Sequence, residues 1–118
     1  MTVQDIQTIL KAEVLCPGDG LDTEVRTACG SDMMSDVLAF VKDQSVLLTG
    51  LVNSQVVRTA EMMDMVCVVF VRGKRPDQAI VDLAQERGIA VLSSPFRMFT
   101  ACGRLYEGGL KGGCPADE

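Results

Sequence analysis

The sequence predicts an α/β domain: three layers, α/β/α, around a mostly parallel sheet of about five strands. A repeated block predicts it. Between Ser45 and Pro95 the order strand, small-residue loop, amphipathic helix occurs twice and then starts a third time. Ser45-Val-Leu-Leu-Thr-Gly leads to a helix near Asn53, and Val66-Cys-Val-Val-Phe-Val-Arg-Gly to one near Pro76. Ile89-Ala-Val-Leu-Ser-Ser-Pro leads to one near Phe96. Such alternation marks βαβ units. The strand segments are also continuous apolar runs, as strands covered on both faces are. Finally, 118 residues of which 47% are hydrophobic suit one domain with a core on both sides of the sheet.

The elements follow in order. Thr2 caps a helix over residues 3–11, with Val3, Ile6, Ile9 and Leu10 on one face. Residues 12–15 read as a strand, Cys16-Pro-Gly-Asp-Gly as a turn, and the weakly alternating residues 22–29 as a second strand. Ser31 caps a helix to residue 42, striped by Met33, Met34, Val37, Leu38 and Val41. Residues 46–49 form a central strand. Asn53 caps the next helix, whose Val56, Val57, Ala60 and Met63 face the sheet.

Residues 66–71 are the clearest strand, six apolar residues bounded by charge and glycine. Pro76 suits a first helical position, Ala79, Ile80, Leu83 and Ala84 form the buried stripe, and Gly88 ends the helix. Residues 89–92 are the last strand. Ser94 and Pro95 start a final helix through Phe99 to about Tyr106. The domain is expected over residues 1–107. The glycine-rich residues 108–118 read as a flexible tail.

Composition narrows the function classes. The formal charge of −5 argues against nucleic-acid binding, which needs a basic footprint. The longest apolar run is far too short to cross a bilayer, no signal peptide is visible, and the chain reads as cytoplasmic. Without Trp, and with Tyr106 as the one tyrosine, the core falls to aliphatic residues and Phe40, Phe70, Phe96 and Phe99. The five cysteines, at 16, 29, 67, 102 and 114, show no C-x-x-C spacing, and there is no histidine. No metal site and no cofactor are expected from that set, and histidine-based triads are excluded within this sequence.

A parallel sheet gathers its loops and helix N-termini at the carboxyl edge of its strands, where ligands bind. Three loops belong there: Thr49-Gly-Leu-Val-Asn-Ser, Arg72-Gly-Lys-Arg and Ser93-Ser. Thr49, Gly50, Asn53, Ser54, Arg72, Gly73, Lys74, Arg75, Ser93 and Ser94 are therefore the candidate anion-binding residues, suited to a phosphorylated small molecule or nucleotide. The same residues also read as tight turns solvated by three long cations. Neither G-x-x-x-x-G-K-[ST] nor G-x-G-x-x-G is present.

Asp32 and Asp36 share a helical face, where they stabilise the helix N-terminus or, with Asp22 or Glu24, approach a divalent cation. Cys29 and Cys102 would need a depressed pKa to act as nucleophiles, with Arg26 and Arg104 the neighbouring charges. The methionine surplus reads as core filling or as a homodimer interface, with Leu51, Met62, Met65 and Met98 as candidates.

The stretch from about residue 12 to 110 resembles the DRTGG domain family. Its best-matched parts are Val68-Val-Phe-Val-Arg-Gly-Lys-Arg-Pro-Asp and Ala84-Gln-Glu-Arg-Gly-Ile-Ala-Val-Leu-Ser-Ser-Pro-Phe, followed by the Thr-Ala-Cys-Gly-Arg-Leu-Tyr run after Phe99. Lys74 stands where a second glycine is common in that family. The resemblance implies an α/β domain similar to the N-terminal domain of HPr kinase/phosphorylase. It also implies a regulatory or dimer-forming role without catalytic residues, in stand-alone proteins or as an accessory part of larger ones. The expectation is a non-catalytic regulatory or protein-interaction module. The alternative is a small phosphotransfer-related enzyme using the Arg72–Arg75 loop and a carboxylate such as Asp32.

Overall fold

The computed structural model describes residues 1–114, apart from the side chain of Phe40. In chain order the elements are α1 (Val3–Ile9), β1 (Glu13–Pro17), β2 (Thr27–Gly30), α2 (Met34–Phe40), β3 (Ser45–Thr49), α3 (Ser54–Met62), β4 (Cys67–Phe70), α4 (Gln78–Glu86), β5 (Ala90–Ser93) and α5 (Met98–Glu107). The five strands form one sheet in the order β1-β5-β4-β3-β2. β2, β3, β4 and β5 are parallel, and β1 joins β5 antiparallel with a bulge between Val14 and Cys16.

The apolar runs of β3, β4 and β5 serve two cores at once, because successive side chains point to opposite faces. Val46, Leu48, Cys67, Val69, Ala90 and Leu92 meet Val3 and Ile6 of α1 and Ala101 and Leu105 of α5. Leu47, Val68, Phe70 and Val91 meet Val37 of α2, Val56, Val57 and Ala60 of α3, and Ile80, Val81 and Ala84 of α4. The three βαβ crossovers thus put α2, α3 and α4 on one face, and α1 and α5 cover the other. This is the expected α/β/α sandwich.

The local signals are mostly obeyed. Thr2 caps α1 in a capping box with Asp5, and Asn53 caps α3. Gly88 follows the C-cap of α4 at φ +73°. Other boundaries move. α2 begins at Met34 rather than after Ser31, because the Asp32 carboxylate turns to the β3 loop. α4 starts after Asp77, whose side chain accepts from Ile80 N–H, so Pro76 precedes the cap. Its buried stripe takes Val81 and leaves Ala79 exposed.

Cys16 and Pro17 belong to β1, not to the turn. Proline is tolerated there because β1 is an edge strand. β2 is confined to residues 27–30. α5 begins only at Met98, because the Ser94 hydroxyl is buried and donates to Leu10 O at 2.9 Å. Phe99, expected in the core, is 90% exposed.

The expected tail from residue 108 is anchored at Leu110 and Lys111, with Gly108, Gly109, Gly112 and Cys114 exposed. Leu110 is 5% exposed and joins the α1/α5 core, and Ala28 N–H donates to Lys111 O at 2.9 Å along the edge of β2. Residues 115–118 lie outside the described residues. Met1, Ile9, Val25 and residues 108–110 line one cleft of about 570 Å³, so the start and end of the domain are neighbours. Leu110→Ala is expected to cost about 2–4 kcal/mol in urea denaturation. A cost under about 0.5 kcal/mol, the range of ordinary surface changes, would show that residues 108–114 do not anchor the domain.

Candidate functional site

The loops leaving β2, β3 and β4 lead to helices on one face, whereas the loop leaving β5 carries α5 to the other. Divergence of this kind opens a crevice at the carboxyl edge of a parallel sheet. Here it is a cleft of about 410 Å³ lined by Ser31, Asp32, Gly50, Arg72, Arg97 and Phe99 among others.

Each wall has a local cause. Asp32 Oδ1 accepts from Gly50 N–H at 2.7 Å and from the Thr49 hydroxyl at 2.9 Å. The Gly50 hydrogen bond is the main reason that the Asp32 carboxyl sits below its usual pKa; the Thr49 hydroxyl and the Arg72 charge add to it, and partial burial opposes them. The carboxylate thereby ties the exit of β2 to the exit of β3.

Arg72 has φ +59°. Among the other non-glycine residues at positive φ, Lys11 and Asp64 directly follow helix C-caps, where left-handed backbone is ordinary. Arg72 instead follows a strand. Two hydrogen bonds hold it there: Arg72 N–H to Phe96 O at 2.7 Å and Gly73 N–H to Ser94 O at 2.8 Å. Its guanidinium lies over Gly50, where a Cβ would come within 2.6 Å of Arg72 Nη2. Gly50 therefore makes room for the cation. Arg97 is the N-cap of α5, and no side chain caps that helix, so its first N–H groups have no side-chain acceptor at the cap. Among the described residues neither Arg72 nor Arg97 has a guanidinium hydrogen bond or an ion pair within 4.0 Å.

The expected anion-binding residues divide. Thr49, Gly50 and Arg72 meet at the cleft, although the Thr49 hydroxyl is already committed to Asp32 and to Leu51 N–H. Gly73 forms the turn. Arg75 turns away to pair with Glu13 on β1, which lowers the Glu13 pKa and raises that of Arg75. Lys74 lies outside the cleft lining. Ser93 donates to Lys74 O at 2.7 Å, and Ser94 is buried on Leu10 O, so both hydroxyls brace the backbone. Asn53 and Ser54 border a separate cleft beside the Asp77 carboxylate, between the starts of α3 and α4. Arg97 and Phe99 were missed as ligand residues, since nothing in their local sequence shows that α5 brings them opposite Arg72.

Met65 is 3% exposed and belongs to the core, so it is not available to a partner. Leu51 and Met98 are half-buried against opposite cores, and Met62 is 70% exposed at the far end of α3. These four do not form one patch. Burial raises the pKa of Cys29 and of Cys102, so these thiols stay protonated near neutrality, and Arg104 lies 4.4 Å from the Phe96 ring centroid. No three His, Cys, Asp or Glu side chains converge on a cation position among the described residues.

The family model of the DRTGG domain matches residues 5–107, nearly the whole chain. This chain belongs to the DRTGG domain family. No curated protein matches it. Among solved structures, this DRTGG domain is similar to the CBS and DRTGG domains of the regulatory region of Clostridium perfringens pyrophosphatase, complexed with its activator diadenosine tetraphosphate. The TM-score is 0.72 at 17% identity, covering 88% of this chain and 45% of that one. At that identity the likeness is one of fold. The DRTGG domain studied there lies in a regulatory region, and this chain spans less than half of the crystallised length.

The lowered Asp32 pKa has a definite sign. Its stabilisation is complete above the unfolded value near 3.8 and is lost as pH falls through the lower folded value. Asp32→Asn is expected to cost about 1 kcal/mol at pH 7, with the gap to wild type closing below about pH 4 in melts taken from pH 7 to pH 2.5. A gap that ignores pH would mean that the charge on Asp32 is not what joins the two loops.

Proposed function

We propose that this DRTGG domain is a non-catalytic regulatory module that binds a phosphorylated small molecule or nucleotide at the carboxyl-edge cleft. One observation carries the reading: two guanidinium groups with no hydrogen bond and no ion pair within 4.0 Å among the described residues line one cleft in a protein of net charge −5. Arginine offers a planar fork of donors that suits phosphate oxygens. The left-handed Arg72 supports it, because strain at a non-helical position is commonly kept where a side chain must be aimed. The DRTGG domain within the regulatory region of the pyrophosphatase supports the class of role.

A ligand bridging Arg72 and Arg97 would reinforce the link between the exit of β4 and the start of α5 that Arg72 N–H to Phe96 O already makes. Regulation follows if two states of the domain, or of a larger assembly, differ in that spacing and hence in affinity. Phosphotransfer at the same loop is less well supported. Its base would be Asp32, which Gly50 N–H and the Thr49 hydroxyl hold as a weakly basic carboxylate.

The proposal includes a homodimer, on other residues than the methionines expected from the sequence. Met33, the N-cap of α2, and Leu38 within it are exposed apolar side chains, and such a set suits an interface between copies. Native mass spectrometry at micromolar concentration tests this. A monomer throughout the range would remove the dimer and leave the cleft untouched.

The cleft is tested by titrating pyrophosphate into the intact chain by calorimetry. Arg72→Gly is expected to weaken binding at least tenfold while leaving stability unchanged or raising it by about 1 kcal/mol, because glycine relieves the left-handed backbone. Gly50→Ala is expected to weaken binding as well, by displacing the Arg72 guanidinium. Unchanged affinity in both variants would sink the reading.

A further inference from the structure

Phe99 is the most exposed of the large apolar side chains in the described residues, at 90%. It stands on the rim of the cleft that holds Arg72 and Arg97, two positions along α5 from Arg97. A bare aromatic ring in water forgoes the gain of burial. At a cleft mouth that gain becomes available to a flat ligand.

Asp32, next to Gly50 and within reach of the Arg72 charge, brings a different chemistry. Asp32 accepts hydrogen bonds and, as an anion, repels phosphate. The Ser31 hydroxyl beside it is spent on the Met33 backbone, accepting from N–H at 3.0 Å and donating to O at 3.3 Å. The cleft therefore makes three demands at three places: anionic oxygens at the guanidinium groups, a flat apolar face at Phe99, and hydrogen-bond donors at Asp32. Inorganic phosphate satisfies the first alone. A sugar phosphate satisfies the first and third. A nucleotide satisfies all three, since its ribose hydroxyls or an exocyclic amine supply the donors. The volume of about 410 Å³ lies in the range of small-molecule sites.

We infer that the ligand of this cleft is a nucleotide, with phosphates on Arg72 and Arg97 and its base stacked on Phe99. This rests on the binding role proposed above and adds the ligand class and the residue that selects it.

The test is calorimetric titration of the intact chain with ADP, GDP and pyrophosphate, for wild type, Phe99→Ala and Phe99→Trp. The exposure of Phe99 makes both variants safe for folding, which a melting curve checks. At least one nucleotide is expected to bind more tightly than pyrophosphate. Phe99→Ala is expected to weaken that nucleotide about tenfold and to leave pyrophosphate within twofold, and Phe99→Trp to retain nucleotide binding. Nucleotides no tighter than pyrophosphate, or an equal effect of Phe99→Ala on both ligands, would overturn the stacking while leaving the phosphate site standing. Failure of all three ligands to bind wild type would remove the binding role and the stacking with it. A changed oligomer mass in Phe99→Ala with unchanged nucleotide affinity would make Phe99 a protein contact and overturn the inference.

Discussion

Everything else in this domain depends on the double burial of β3 and β4. Neither strand has a solvent face, and every residue of both is buried. Such strands are apolar except where a buried hydroxyl has a partner, as those of Ser45 and Thr49 do, and their backbone groups must be satisfied by neighbouring strands, which the parallel ladders to β2 and β5 supply. Helices are then needed on both faces. Three crossovers cover one side, which leaves the other to α1 and α5. The departure of α5 to that side is what separates its first turn from the β2, β3 and β4 loops and makes the cleft.

The same departure explains how charge is arranged there. Loops at the carboxyl edge crowd together, and their polar groups are largely spent on one another. Asp32 serves the β3 loop, Ser93 and Ser94 brace the backbone, and Arg75 answers Glu13. Arg72 lends its charge to Asp32 without a close ion pair, and Arg97 has no ion pair within 4.0 Å among the described residues. Their positions owe nothing to an ion pair of their own. Backbone hydrogen bonds set one, and the start of a helix sets the other.

The fold was legible because its signals are local. A strand buried on both faces declares itself by its apolar run, as residues 66–71 do, and a cap by one side chain, as Thr2 and Asn53 do. Site residues were legible only where sequence neighbours remain spatial neighbours, as at Thr49 and Gly50. Arg97 and Phe99 meet Arg72 by way of a helix that changes faces, which no local pattern encodes. Composition misled at the glycine-rich end, because Leu110 is one apolar residue among turn formers and its burial depends on α5. It misled at Ser94 too, where a good capping residue found a more distant carbonyl.

The closeness of Met1 to residues 108–110 bears on how this unit can be used. A chain that enters and leaves a domain at one patch can be spliced into a surface loop of another protein with little loop-closure entropy to overcome. The host need not stretch, and none of the residues that line the carboxyl-edge cleft belongs to the junction. The architecture is therefore suited to transplantation, so that one compact unit can serve alone or between the segments of a longer polypeptide without redesign of its core.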